Sequence, residues 1–198
     1  MKLDTIRALA ISKLPWIRRQ QRAFRGQDRE APRDYITGES HYVWGRRYLL
    51  TVEERDAAPR VEIDHRRLFL RIRPQPDVRR RAALVDEWYR QQIRDVLPEM
   101  LAGLEPAIGC APRRIFICRM RTKWGSCNAS TRNIRLNTEL AKKPVDCLEY
   151  VLVHELVHLR EATHGAPFRD LMDKVLPGWS NRRRELNQLP LRHETWTF

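Results

Sequence analysis

Cysteine is sparse in this chain and never closely spaced: Cys110, Cys118, Cys127 and Cys147 are the four present, and no C-x-x-C occurs. Thiolate zinc sites and dithiol redox motifs both need close spacing, so neither is signalled. Long apolar runs are also missing, and nothing approaches the length of a membrane span. The opening MKLDTIRALAISKLPWIRR interrupts its apolar residues with Asp4, Arg7 and Lys13, so no secretory signal is read there. A cytoplasmic location with reduced thiols is the expectation. No G-x-x-x-x-G-K loop is present, which removes a P-loop mechanism, and no internal repeat or low-complexity tract is visible. Acidic residues fall short of basic ones, 25 against 38, for a net charge of +13. Such an excess favours anionic partners such as nucleic acid or nucleotides and carries no information about fold.

Hydrophobic residues make up 42% of 198, enough for one domain with a real core and an extended arm. Leu3, Ile6, Leu9, Ala10 and Leu14 recur at helical spacing, so residues 2–14 read as a short basic amphipathic helix and 15–34 as a connector. The period then changes to that of strands. Tyr42, Val43 and Trp44 and then Tyr48 to Val52 flank Gly45, predicting a hairpin. Val61 and Ile63, followed by Leu68 to Ile72, predict a second hairpin turning near His65, Arg66 and Arg67 and closed by Pro74 and Pro76. Residues 77–103 return to helical periodicity, with Pro98 a point of kinking or ending. Residues 114–119 and 133–137 alternate as strands around a polar, glycine-containing bend over 120–128. Pro144 occupies a first helical position ahead of a helix over 145–163, and shorter helices follow near 166–175 and 180–189. The expected organisation is a basic helix and connector over 1–34, a domain over 35–190 and a tail over 191–198. Within that domain, a β-rich part spans 35–76 and the part carrying the chemistry spans 77–190.

The chemistry concentrates in Val151 to Leu159, which contains His154-Glu155-x-x-His158. A helical residue advances about 100°, so His158 lies about 40° round from His154 and one turn along, and both imidazoles reach one ion. Glu155 is displaced about 100°, too far to join that pair as a ligand and well placed to hold a water. Leu148, Val151, Leu152, Val153, Leu156, Val157 and Leu159 surround this helix, so it should be buried. Two histidines and a glutamate in a buried helix are costly unless something ligates them. A catalytic zinc site needs a third protein ligand and one open position. A straight helix supplies none easily, so the chain should bend back at Thr163-His164-Gly165, with Gly165 ending the helix and His164 as the third ligand. Glu161, on the same helix face, is the rival ligand or a hydrogen-bond partner for an imidazole.

Taken with these residues, Arg119 to Cys127 (RMRTKWGSC), Ile134 to Asn137, Leu148 to His158, His164 to Phe168 and Leu176 to Trp179 resemble the YgjP-like metallopeptidase family, which is related to SprT-like proteases. Tyr35 to His41 and Gly45 to Tyr48 resemble it as well, so the likeness covers roughly residues 35–190. The resemblance implies a zincin-like α+β fold with a small twisted sheet packed on the metal-bearing helix. It also implies one zinc ion per chain on His154, His158 and His164, with Glu155 catalytic.

Other candidates are weaker. Arg119 and Arg121, beside the bend, are candidate anion contacts, and Asn137 is a candidate substrate contact at the end of a strand (133–137) open to pairing with an extended peptide. Ser126 or Cys127 could be a nucleophile, but a tight glycine turn with Trp124 in the core is the preferred reading of that segment. His41, His65 and His193 read as isolated surface or packing residues, and Arg79–Arg81 and Arg182–Arg184 as solvated helix faces. The function expected is zinc-dependent hydrolysis of a peptide bond by a metal-activated water. Its rivals are hydrolysis of a nucleotide phosphoanhydride, such as a nucleoside triphosphate, at the same site, and a protease associated with nucleic acid through the basic surface.

Overall fold

The structure, a computed structural model, describes residues 7, 11–16, 18–19, 30–74 and 77–190. The chain divides into a unit over 33–187 and a unit of residues 1–32 with 188–198. In the latter, residues 7, 11–16 and 18–19 are helical, and Ile11, Leu14 and Trp16 are exposed. Helix therefore continues into the stretch read as a connector. The remainder of the helix read over 2–14, the rest of that connector before residue 30, Pro76, His193 and the tail over 191–198 lie outside the described residues. No helix among the described residues is long and apolar enough to cross a membrane.

The unit over 33–187 is α+β, as expected, and both hairpins form. Strands β1 (Ser40–Val43) and β2 (Arg46–Glu54) turn at Trp44-Gly45, and β3 (Arg60–Asp64) and β4 (Arg67–Ile72) turn at His65-Arg66. They merge into one sheet of order β1-β2-β4-β3 because β2 pairs with β4 in parallel. Strand alternation places Val43, Leu50, Leu68, Leu70 and Ile72 on the buried face. Helix α1 (Val78–Ile108) packs against β3 and β4, its buried residues including Val85, Tyr89 and Ile93. Asp77 starts α1 by accepting the Arg80 N–H at 2.6 Å. Pro98 does not end it. Leu104 and Ile108 continue the buried stripe past the proline, and that burial outweighs a penalty of about 3 kcal/mol.

A second sheet has the order β5-β7-β6, from β5 (Arg114–Cys118), β6 (Gly125–Asn128) and β7 (Asn133–Asn137). Residues 125–128, read as part of a polar bend, are a strand. Gly-Ser-Cys-Asn carries no apolar alternation, and its pairing is set instead by the turn that follows, where the Asn128 carboxamide accepts from Thr131 N–H (3.0 Å) and Ser130 O–H (2.7 Å). Strand β7 is consequently central, bonded on both sides, and is not the strand left to pair with a substrate; the edges are β5 and β6. Beyond β7 come a 3₁₀ turn (Thr138–Lys142), α2 (Val145–Val157), α3 (Ala166–Val175) and α4 (Trp179–Gln188). Pro144 sits one position earlier than expected, with extended backbone ahead of the first helical residue.

The first sheet is fastened to the entry of α2. Trp44 N–H donates to Ala141 C=O at 2.8 Å and Gly45 N–H to Lys142 C=O at 3.3 Å. Gly45 has φ 76°, and a Cβ there would stand 3.0 Å from the Pro144 ring. Beneath this contact Lys142 and Glu139 form a buried ion pair at 2.7 Å, with the ammonium 5.4 Å from the Tyr89 ring centroid. His41 is part of the same interior rather than surface, 3.6 Å from the Glu39 carboxylate and 5.7 Å ring to ring from Tyr35. Gly38 has a left-handed φ of 97° but open space around it, so the two glycines separate strain from contact. Gly38→Ala should lose about 1–3 kcal/mol from φ alone, and Gly45→Ala distinctly more, as read from urea midpoints. Equal losses would mean that the contact with Pro144 is unimportant.

Candidate metal centre

Helix α2 is buried nearly all round: Leu148, Val151, Leu152, Val153, Leu156 and Val157 surround it, and His154 and Glu155 emerge toward a cavity. It stops at Val157, well short of residue 163. Its last carbonyls are taken by the turn that follows, where Leu159 N–H donates to Leu156 C=O (3.0 Å) and Arg160 and Glu161 N–H both donate to Val157 C=O (2.9 Å). The Arg160 guanidinium donates to Ile108 C=O at 2.8 Å, a cation at the carbonyl end of α1, which ties the turn down. The chain then reverses so that His164 returns over the helix. Gly165 is not the end of α2 but the N-cap of α3, with extended backbone that any residue adopts.

The reversal brings three imidazoles together. Nε2 of His164 lies 3.1 Å from Nε2 of His154 and 3.2 Å from Nε2 of His158. Tetrahedral zinc with Zn–N of about 2.0–2.1 Å holds its nitrogens about 3.3 Å apart, and both of these separations suit that ion. His158 Nδ1 donates to the Glu161 carbonyl at 2.9 Å, which leaves the lone pair of neutral His158 on Nε2, facing the common point. Glu161, read as a rival ligand, contributes through its backbone, and its side chain is not in the cluster. Phe168 of α3 supports all three rings, with centroids at 5.0, 4.7 and 4.7 Å. Burial, then His158, His164 and Arg183, push His154 down to about 4; burial, His158 and Arg183 lower His164. Both are held as neutral imidazoles, the form that ligates a metal.

Glu155 lies beside this cluster, under the edge strand β6. A Cβ on Gly125 would fall 2.7 Å from Glu155 Oε1 and 2.8 Å from Val151 Cγ1. Gly125 is thus required by close approach within β6 rather than by a turn. Burial raises the Glu155 carboxyl to about 7, against the pull of Lys123. Burial, then Glu155 and Cys110, raise Cys127 to about 11, so its sulfur stays a thiol and is no nucleophile near neutrality. Trp124 is only half-buried and borders the cavity rather than filling the core.

The cavity of about 710 Å³ extends from Glu155 and His154 past Lys123, Arg169 and Arg183, and Tyr150 and Trp179 stack within it at 6.3 Å and 6°. A hollow of about 410 Å³ adjoins it between β6 and the three histidines. Arg119 and Arg121 are exposed and line neither. Asn137, read as a substrate contact, lines neither cavity. It is buried, and its carboxamide donates to the Met120 and Lys123 carbonyls (both 2.9 Å) and accepts from Glu139 N–H (3.2 Å), pinning the loop that carries Lys123. Arg183 is the residue that sequence reasoning misses. Of its run, Arg182 pairs with Glu149 and Arg184 bonds Asn181, while Arg183 lines the cavity close enough to lower His154 and His164. No local pattern distinguishes it from its neighbours.

His154 and Glu155 oppose each other in the pH dependence of the metal-free protein. Between the ordinary histidine value of 6.5 and about 4 the unfolded chain binds a proton that folded His154 refuses, so stability falls with acidification. Between 4.5 and about 7 folded Glu155 binds a proton that the unfolded chain does not, so stability falls with rising pH. The slopes offset where the windows overlap. Metal-free Glu155→Gln should therefore lose melting temperature more steeply than the parent from pH 6.5 to 4. Parallel curves would contradict this balance.

A model of the YgjP-like metallopeptidase domain matches residues 1–189. No curated protein is similar enough to match the chain. Among solved structures, the metallopeptidase zymogen of Pyrococcus abyssi abylysin aligns at 20% identity and a TM-score of 0.43, covering 48% of this chain and 97% of that one. That of Methanocaldococcus jannaschii jannalysin aligns at 25% identity and a TM-score of 0.41, covering 48% and 94%. On the family match over residues 1–189, the chain belongs to the YgjP-like metallopeptidase domain family, a family of metal-dependent hydrolases.

Proposed function

We propose that the chain is a zinc peptidase in which His154, His158 and His164 hold one zinc ion and Glu155 is the general base. The observation that carries this reading is the convergence of three imidazoles beside a buried carboxyl, with His164 Nε2 3.1 Å from that of His154 and 3.2 Å from that of His158. Bound zinc supplies Lewis acidity, lowering the pKa of water from about 15.7 to about 7 and opposing charge on a polarised carbonyl oxygen. Glu155, confined by Gly125 and Val151, takes the proton from the attacking water and returns it to the departing amine. The free edge of β6 offers unpaired backbone groups to an extended peptide, and the hollow beside it leads to the histidines. Arg183, which lines the cavity near His154 and His164, would donate to the oxygen on which charge develops.

A second reading uses the same residues on a phosphoanhydride. Lys123, Arg169 and Arg183 form no ion pair among the described residues, and Glu155, which Lys123 attracts, is the only acid among the residues lining their cavity. Triphosphate oxygens suit those cations, and a base suits the Tyr150–Trp179 stack.

The ligand assignment predicts that His164→Ala sharply weakens zinc binding in a competitive titration, whereas Glu161→Ala, which keeps its backbone carbonyl, leaves affinity near the parent value. The opposite result would make Glu161 the ligand. For turnover, Glu155→Gln should retain zinc and lose about 10²–10⁴-fold in kcat. Measured on casein and on nucleoside triphosphates in parallel, zinc-dependent turnover should appear with casein. Turnover confined to the triphosphates selects the second reading, and a zinc-loaded Glu155→Gln protein of parent activity removes Glu155 as the base in either.

A further inference from the structure

We propose that one end of the first sheet is a binding site for single-stranded nucleic acid, independent of the metal centre. A cleft of about 1280 Å³ lies there, lined by Arg46, Arg47, Arg66 and Arg67 together with Tyr48, Leu49 and Phe69. It shares no lining residue with the metal cavity.

Topology assembles this cluster. Because β2 and β4 run parallel, with Leu49 opposite Arg67 and Thr51 opposite Phe69, both strands begin at the same end of the sheet. Arg46 and Arg47, which open β2, lie three and two residues beyond the position opposite Arg67, so they and Arg66–Arg67 fall at the same end of the sheet. The remainder of the sheet treats its arginines differently. Arg71 is braced by Glu53 and Glu62, Arg55 pairs with Glu53, Arg60 with Glu62 and Arg73 with Asp56. At the cleft, Arg46, Arg66 and Arg67 form no ion pair among the described residues, although Asp64 lies across the strands from Arg67, and Arg47 Nε donates only to Ser40 Oγ at 2.8 Å. The one acid in the lining is Asp64, 3.6 Å from His65. Charge is thus balanced over most of the sheet and left uncompensated at one end, where an anion would relieve the mutual repulsion.

Chemistry between the cations narrows the ligand. Leu49, 44% exposed, and half-buried Phe69 lie on the face turned away from the core, with the Arg71 guanidinium 5.6 Å from the Phe69 ring centroid, so apolar surface lies among the guanidiniums. An acidic peptide would satisfy the charges and leave that surface bare. A duplex presents phosphates but keeps its base faces stacked inside. A single strand offers both, phosphates for the arginines and open base faces for Leu49 and Phe69.

The test uses the full chain and fluorescence anisotropy with a labelled oligothymidylate of about twelve nucleotides, a matched duplex and a polyglutamate peptide, from about 50 to 200 mM salt. Arg66→Gln with Arg67→Gln should weaken binding of the single strand by about tenfold or more and flatten its salt dependence by about 0.7 per lost phosphate contact. Arg79→Gln with Arg80→Gln, an equal charge loss on exposed positions of α1, should change it little. Phe69→Leu should weaken binding and leave the salt slope unchanged. Equal losses in the two double variants would show bulk attraction instead of a site. Polyglutamate or duplex binding as tightly as the single strand, or Phe69→Leu binding like the parent, would equally overturn the proposal.

Discussion

Helix α2 ends at Val157, one residue before the second of its two histidines, and the carbonyls freed there are consumed by a tight turn held to the end of α1 by Arg160. Had the helix continued, the following residues would have moved away from His154 by about 1.5 Å each along the axis. Because it stops, the chain reverses within a few residues. His164 comes back to within 3.1 Å of His154, and the carbonyl of Glu161 meets the far nitrogen of His158. The convergence of the imidazoles, the fixed tautomer of His158 and the seat of Phe168 beneath all three rings follow from that ending.

The same helix carries two groups that its surroundings push in opposite directions. Burial holds His154 neutral by lowering its pKa and inclines Glu155 toward its neutral form by raising it. A site with this arrangement keeps little charge of its own until a cation arrives. Gly125 sharpens the constraint, because the backbone of β6 passes so close to Glu155 that no side chain fits between them. Across the cavity, Lys123, Arg169 and Arg183 supply the charge that the helix does not.

The first sheet contributes twice. Its Trp44-Gly45 turn hydrogen-bonds the 3₁₀ segment just before α2, over the buried Lys142–Glu139 pair, and so steadies the start of the helix that bears the chemistry. Its parallel β2–β4 pairing collects arginines from two hairpins at one end. Support and charge thus arise from one topology.

Sequence by itself determined the elements with strong periodicity, namely both hairpins, the buried helix and the placement of His154 and His158 on one of its faces, because these depend on neighbours within a few residues. Resemblance added the likeness to a metallopeptidase family across most of the chain. It was silent on β6, whose Gly-Ser-Cys-Asn has no alternation and is a strand only because β7 lies beside it. It overran the end of α2, since nothing between Leu159 and Thr163 opposes helix and the stop comes from Arg160 reaching the carbonyl of Ile108, 52 residues away in the chain. It assigned Asn137 outward and Arg183 to solvent, where tertiary packing turns the first into a clamp for the loop ahead of β6 and the second toward the histidines. The dividing line is range: periodicity records which face a side chain shares with its neighbours, and only the packed chain decides what that face meets.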